Sequence, residues 1–278
     1  MSDARAPAGA RTDVRGAEAC VMPGHDVPSG WRARALGQAA GDLDIAFDGD
    51  RASIVTALLA ACVSDAQGRA VDAASAWDWT LSQRLQALIA VRRACGPEHV
   101  DVQAPCARCA EQMAITLALD DFAAAPAVPR FTWCSPEGAL LSLRLPSGHD
   151  LRRWQDEGAP GWQAMAASLV EAVDGVATDI GADELAAWLP ALDDAFEAHD
   201  PLTALHLHAT CPACAHDNDI ACDIESLLVD GLARAQDGLL DEVAQLAAAL
   251  HWSEPAIMSL PAWRRARYLQ RVSQETGP

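Results

Sequence analysis

Two short stretches constrain this chain more than any other: Cys106-Ala-Arg-Cys109 and Cys211-Pro-Ala-Cys214, both C-x-x-C. Two thiolates on one tight turn can grip a soft metal ion from one side. Four thiolates from two such turns complete a tetrahedron, with Zn–S near ~2.3 Å. The copies lie 105 residues apart, and the match extends beyond the cysteines. Val100, Val102, Ala104 and Cys106 align with Leu205, Leu207, Ala209 and Cys211, and Ile115, Leu117 and Leu119 align with Ile220, Cys222 and Ile224. Apolar residues alternate on both sides of each turn, which is the period of a strand. Each copy therefore reads strand, cysteine turn, strand, a weak internal duplication whose halves meet at one ion.

The rival chemistry for C-x-x-C is redox. A thioredoxin-like pair sits where a strand ends and a helix begins, because the helix N-terminus lowers the first thiol's pKa. Here Met113, Ile115, Leu117 and Leu119 continue as a strand, and Asp217-Asn218-Asp219 reads as a turn ahead of the second one. A structural zinc ion held by Cys106, Cys109, Cys211 and Cys214 is the expectation. Disulfides or a redox pair are the alternative. Four protein ligands leave no open position for water, and hence no Lewis-acid catalysis.

The chain has 278 residues, room for one large or two modest domains. Lysine is absent, which excludes Schiff bases and phosphate-cradling lysines. A net charge of −19 repels phosphate backbones, so no nucleic-acid partner is expected. Nine cysteines, an odd number with four in C-x-x-C pairs, suit a reducing compartment and metal binding. Of the others, Cys62, Cys95 and Cys222 read as small buried hydrophobes. No apolar stretch follows the early arginines, so no signal peptide is expected. No run approaches the ~20 apolar residues of a membrane span. The expected location is cytoplasmic.

Residues 1–30, rich in Ala, Gly, Pro, Arg and Asp, read as a disordered tail. Residues 31–128 hold helices and the first cysteine knuckle. The first helix is expected at 52–63, followed by a polar loop. Thr80 and Gln83 form a capping box for a helix that runs to Cys95 and stops at Gly96-Pro97. Residues 129–200 read as a hairpin and helical insertion. Phe131 and Trp133 pair with Leu141, Leu143 and Leu145, and Asp150 caps a helix from Leu151. Further helices are expected at 161–173 and at 183–199, the latter kinked at Pro190. His149 and Asp150 read as a loop and a cap, since no nucleophile stands in a matching motif. Residues 201–278 carry the second knuckle and helices at 224–235 and 239–250, then a short one capped by Ser253 and a last one opened by Pro261. His206, His208 and His216 are available as substitute ligands, with His206 and His208 facing away from the apolar side. The fold class is α+β: mainly helical, with short antiparallel strands forming a zinc-ribbon-like pair of knuckles and one extra hairpin. The last helix carries Arg264, Arg265, Arg267 and Arg271, a basic end on an acidic protein. These arginines either pair with the chain's own acids or dock a partner.

Three features together resemble a known family. They are the Leu85–Gly96 helix leading to Cys106-Ala-Arg-Cys109, the segment Leu143-Arg-Leu-Pro-Ser-Gly-His-Asp-Leu151, and the C-terminal run. That run comprises Glu242-Val, then Ala247 to Trp252 with Ser253-Glu254, then Leu260-Pro-Ala-Trp-Arg-Arg-Ala-Arg-Tyr-Leu269. The chain is similar there to the baseplate hub and hub-assembly-chaperone proteins of T-even-like contractile phages and of extracellular contractile injection systems. The likeness spans about residues 30 to 273. Relatives often carry Gly after the second cysteine of a pair, where this chain has Ala110 and Ala215. The resemblance implies a non-enzymatic baseplate component or assembly chaperone, free in the cytoplasm or built into a phage-tail-like particle. Its implied partners are other baseplate, tube or spike proteins. The alternatives are a stand-alone zinc-ribbon adaptor between proteins and, third, a C-x-x-C thiol oxidoreductase.

Overall fold

The computed structural model describes residues 30–122, 128–178 and 180–275. The expected tail, apart from Gly30, and most of the Ala-Pro spacer at 124–129 lie outside them. The chain is mixed α and β, 49% helical, so helices dominate and the strands come as short antiparallel pairs.

A two-residue strand, β1 (Arg32–Ala33), leads through a 3-10 turn at Ala40–Asp44 into α1 (Arg51–Cys62). Asp50 caps α1 by accepting the Ser53 N–H. Next, β2 (Val63–Ser64) pairs with β1. The expected polar loop contains a helix, α2 (Ala73–Asp78), capped by Asp72. The capping box then opens α3 (Leu81–Ala94) as expected: the Thr80 N–H donates to Gln83 Oε1 at 2.9 Å. Gly96 ends the helix at φ 111°, a backbone angle that suits glycine. The first knuckle follows as β3 (His99–Pro105) and β4 (Gln112–Ala118).

The insertion is more sheet-like than a hairpin. β5 (Arg130–Cys134) and β6 (Leu140–Arg144) pair as expected, and α4 (Gly148–Asp156) and α5 (Trp162–Ala167) follow. The helix expected at 161–173 stops at Ala167. Val170 and Val173 instead form β7 (Val170–Val173) against the open edge of β6, and β8 (Val176–Ala177) completes a four-stranded sheet. β-Branched side chains pack better there than in another helical turn. Ser147, not Asp150, is the N-cap of α4. Asp150 sits three residues in and accepts the Ser147 N–H at 2.8 Å, the reciprocal half of a capping box. The helix expected at 183–199 is two: α6 (Ala182–Leu185) and α7 (Leu189–His199). Pro190 lies in the first turn of α7, where its missing N–H has no partner to lose, so it starts a helix and kinks none.

After the second knuckle, β9 (His206–Thr210) and β10 (Asp217–Ala221), the two helices expected at 224–235 and 239–250 are one, α8 (Ile224–Leu250). Gln236 and Gly238 do not interrupt it. Gln236 is buried and donates from Nε2 to the carbonyls of Asp42 and Ile45, at 2.8 and 2.9 Å. The last described elements are α9 (Glu254–Met258), with Ser253 in the N-cap position but without a side-chain capping bond, and α10 (Ala262–Glu275). Among the described residues, no helix is long and apolar enough to cross a membrane.

Three large apolar clusters follow from this order among the described residues, beside a small one at the cysteine turns. The largest joins α1, α3 and the first half of α8, and the inward residues Val102, Ile115, Leu117 and Leu207 plug the knuckle strands into it. A second is built from residues 131–196 alone. The third packs the far half of α8, through Leu239, Val243 and Leu246, on α9 and α10. Burying one such leucine contributes about 1.5–3 kcal/mol, so the knuckles sit on a firm base.

Candidate metal centre

The two knuckles are the same structure twice. Pro105 faces Gln112 across β3 and β4, and Thr210 faces Asp217 across β9 and β10, one register shifted by the sequence offset. The Cys106 N–H donates to the Glu111 carbonyl at 2.8 Å, and Cys211 to that of His216 at 2.8 Å. The Ala110 N–H returns to the Cys106 carbonyl, and Ala215 to Cys211, both at 2.9 Å. Each turn closes through a left-handed alanine, Ala110 at φ 61° and Ala215 at φ 55°. The sharp reversal is therefore kept without the residue best suited to it.

The four sequence-identified cysteines converge. All four Sγ atoms lie within 4.8 Å of one another. Two pairs that cross between the knuckles, Cys106 with Cys214 and Cys109 with Cys211, are each 3.7 Å apart. Tetrahedral bonds of ~2.3 Å require an S···S edge of about 3.8 Å, so the cluster fits one four-coordinate ion. A disulfide requires about 2.05 Å, and all four cysteines are free. Cys106 and Cys211 are buried under Met113 and Ile220, Cys214 is half-buried and Cys109 faces solvent. Without an ion the thiols share their protons unequally. Burial opposes the Cys106 thiolate, yet the backbone N–H groups of Arg108 and Cys109 and the neighbouring thiols hold it down at about 6. For Cys214 the backbone N–H of His216 favours the thiolate, but burial and the other three sulfurs push it up to about 12. An ion replaces those protons, and its charge supplies what hydrogen bonds alone do not.

One residue of the site was missed from the sequence. Asp217-Asn218-Asp219 is not a turn but the start of β10, with Asn218 inward and buried. Asn218 Oδ1 accepts the Ala107 N–H of the other knuckle at 2.9 Å, while its Nδ2 donates to the carbonyls of His216 at 2.9 Å and Ala209 at 3.2 Å. Its counterpart in the first copy is Met113, whose sulfur it touches at 3.6 Å. The two equivalent positions thus meet at the pseudo-symmetric junction, and the polar member ties the turns together. The signal in the sequence was its place in the alternation, one duplication offset from an inward methionine.

The remaining candidates fall elsewhere. His206 and His208 are on the exposed face, as expected, and His216 is outside the cysteine cluster. His149 pairs with Asp78 on the surface at 3.2 Å. Asp150 is held by Arg144 through two bonds of 2.6 and 2.8 Å and by Arg153 at 3.0 Å, which is structural work. Burial raises the thiol pKa of Cys95 and Cys222 and pushes Cys62 up to about 12, which leaves these three as inert thiols. The basic helix divides. Arg265 is buried, donates to the carbonyls of Gly37 and Leu260, and lies 3.5 Å from Glu242. Arg264, Arg267 and Arg271 share one exposed stripe of α10 beside the exposed Trp263, over which the Arg264 guanidinium sits at 5.4 Å.

No protein-family model, no curated protein and no solved structure matches this chain. The class that the site itself defines is a protein with two duplicated knuckles whose four cysteines lie within metal-binding distance.

Proposed function

We propose that this chain is a non-enzymatic structural component or assembly chaperone of a contractile-tail baseplate, locked by one structural zinc ion. The observation that carries this reading is the four-sulfur cluster, with two cross-knuckle edges of 3.7 Å, drawn from hairpins about a hundred residues apart. Four soft thiolates in a tetrahedral set favour zinc over the oxygen-seeking cations. Bound there, the ion supplies a cross-link, with no open position for a water nucleophile. The residues around it do the rest. Asn218 aligns the two turns, the knuckle strands bury their inner faces in the main core, and α8 leads from the second knuckle to α10. That helix presents Trp263 and the exposed arginines as a preformed face, and rigid presentation reduces the ordering cost of binding. The arginines steer an acidic partner, a tube, sheath or spike subunit of the particle, onto it. The chain's charge argues against nucleic acid in that role.

Purified protein should contain one zinc per chain by elemental analysis. Cys106→Ser or Cys211→Ser should lose it along with much of the thermal stability, since a zinc clasp contributes on the order of 10 kcal/mol. Tube, sheath or spike subunits should co-purify with the wild type and be lost from Arg264→Glu/Arg267→Glu/Arg271→Glu. Zinc without such partners would leave the adaptor reading. Thiol turnover lost in Cys106→Ser at unchanged stability would favour the oxidoreductase instead.

A further inference from the structure

The outer face of the second hairpin carries a group that the cysteine cluster does not use. His206 and His208 alternate along β9, so their side chains leave the same face of the strand, with Cα atoms about 7 Å apart. Asp219 stands directly opposite His208 on β10. Its Oδ1 lies 2.9 Å from His206 Nδ1 and 3.8 Å from His208 Nδ1. All three side chains are open to solvent, at 47, 66 and 59% exposure.

Proton bookkeeping assigns the tautomer. A carboxylate only accepts, so the bonded His206 Nδ1 carries the hydrogen, and the neutral ring keeps its lone pair on Nε2. The same carboxylate is near enough to draw His208 Nδ1 toward it. A histidine whose Nδ1–H is held by a carboxylate and whose Nε2 is free is the usual arrangement of a metal-ligating imidazole. The first hairpin acts as an internal control. It has the same register and the same turn, yet its equivalent positions are Asp101, Gln103 and Ala114. The duplicated fold therefore does not need the two imidazoles or the carboxylate.

We infer that His206 and His208 form a second, exchangeable site for a borderline divalent transition cation, with Asp219 as the positioning residue. The ion class is that of zinc, nickel and copper, which imidazole nitrogen suits, and not magnesium or calcium, which seek oxygen. Two protein ligands leave the other coordination positions to water or to a group from outside. In this the site differs from the closed four-sulfur cluster, although it sits on the same hairpin as Cys211 and Cys214. The chain's charge of −19 raises the local concentration of cations around it.

The test uses the full chain with its cysteine cluster saturated with zinc, titrated with Ni²⁺ by calorimetry at neutral pH. One further equivalent should bind without release of zinc and without the sulfur-to-nickel absorption bands that thiolate ligation produces. His206→Gln and His208→Gln should each remove that equivalent. Asp219→Asn should weaken it by about tenfold while leaving it present, as expected of an orienting carboxylate. Asp101→His/Gln103→His/Ala114→Asp should install a further equivalent on the first hairpin. The inference is overturned if wild type takes up no nickel beyond the cluster, if nickel enters by displacing zinc from sulfur, or if the doubly substituted His206→Gln/His208→Gln chain binds as well as wild type.

Discussion

Two alanines hold a left-handed backbone at the cysteine turns. Ala110 and Ala215 both sit at positive φ, each as the residue that swings the chain back after the second cysteine. A left-handed conformation costs a non-glycine residue roughly 1–2 kcal/mol. Glycine avoids that cost but adds freedom to the unfolded chain, so the gain from substitution is about 1 kcal/mol at each turn. Ala110→Gly/Ala215→Gly should therefore raise the urea midpoint with an unchanged slope, and a lowered midpoint would refute the strain. Asp150 gives a prediction of a different kind. Burial alone would raise its pKa, but Arg144 and the Ser147 N–H hold it below the ordinary carboxylate value. A depressed native pKa stabilises the fold above about pH 4 and stops doing so as pH falls through the native value. The stability advantage of wild type over Asp150→Asn, read from urea melts across the acid range, should be full near neutrality and shrink below about pH 4. At this scale the sequence was most legible where one residue type has one use. The four cysteines were legible from spacing, and the Thr80–Gln83 box from its order. Asn218 was not, because an asparagine between two aspartates favours a turn by propensity and enters a strand only for its tertiary bonds.

Among the elements, errors arose where packing overrode the local signal. Residues 161–173 have helical spacing at Met165, Leu169 and Val173, yet the Leu169 carbonyl accepts the Arg144 N–H at 3.0 Å, and Val170 and Val173 pair with Leu143 and Leu141 of β6. The unpaired edge decided the outcome. The stretch Gln236-Asp237-Gly238 looks like a break, yet α8 passes through it. A glycine inside a helix costs about 1 kcal/mol, and the apolar clusters at both ends of α8 exceed that several-fold. The periodic runs that became α1, α3, β3 and β4 were legible because period and burial agree there. Ser82, buried on α3, shows a related effect. It donates to the buried Asp200 that follows α7, and burial raises the pKa of that carboxyl, so the insertion is tied to the helical core through a site no local pattern announces.

For the whole molecule, the clusters set what metal loss can do. The knuckle strands belong to the main core, whereas residues 131–196 pack among themselves. Stripping the ion with a strong chelator should raise amide exchange first in β3, β4, β9 and β10. The four-stranded sheet of the insertion should stay protected, as expected of units that open separately. Uniform loss of protection across both would show that the ion supports the entire chain. The architecture was legible at this scale only in outline. The duplication follows from period, but where helices break or join, and how the apolar residues divide into separate cores, depends on which side chains meet.

α8 starts three residues after β10 and runs 27 residues without a break, about 40 Å of rod. The cysteine knuckle lies at one end and the arginine-bearing helix packs against the other. Their separation and their relative azimuth are thus gauged by one count of residues. A single residue inserted into the rod would turn the far end by about 100° and advance it by about 1.5 Å, leaving both ends intact but out of phase.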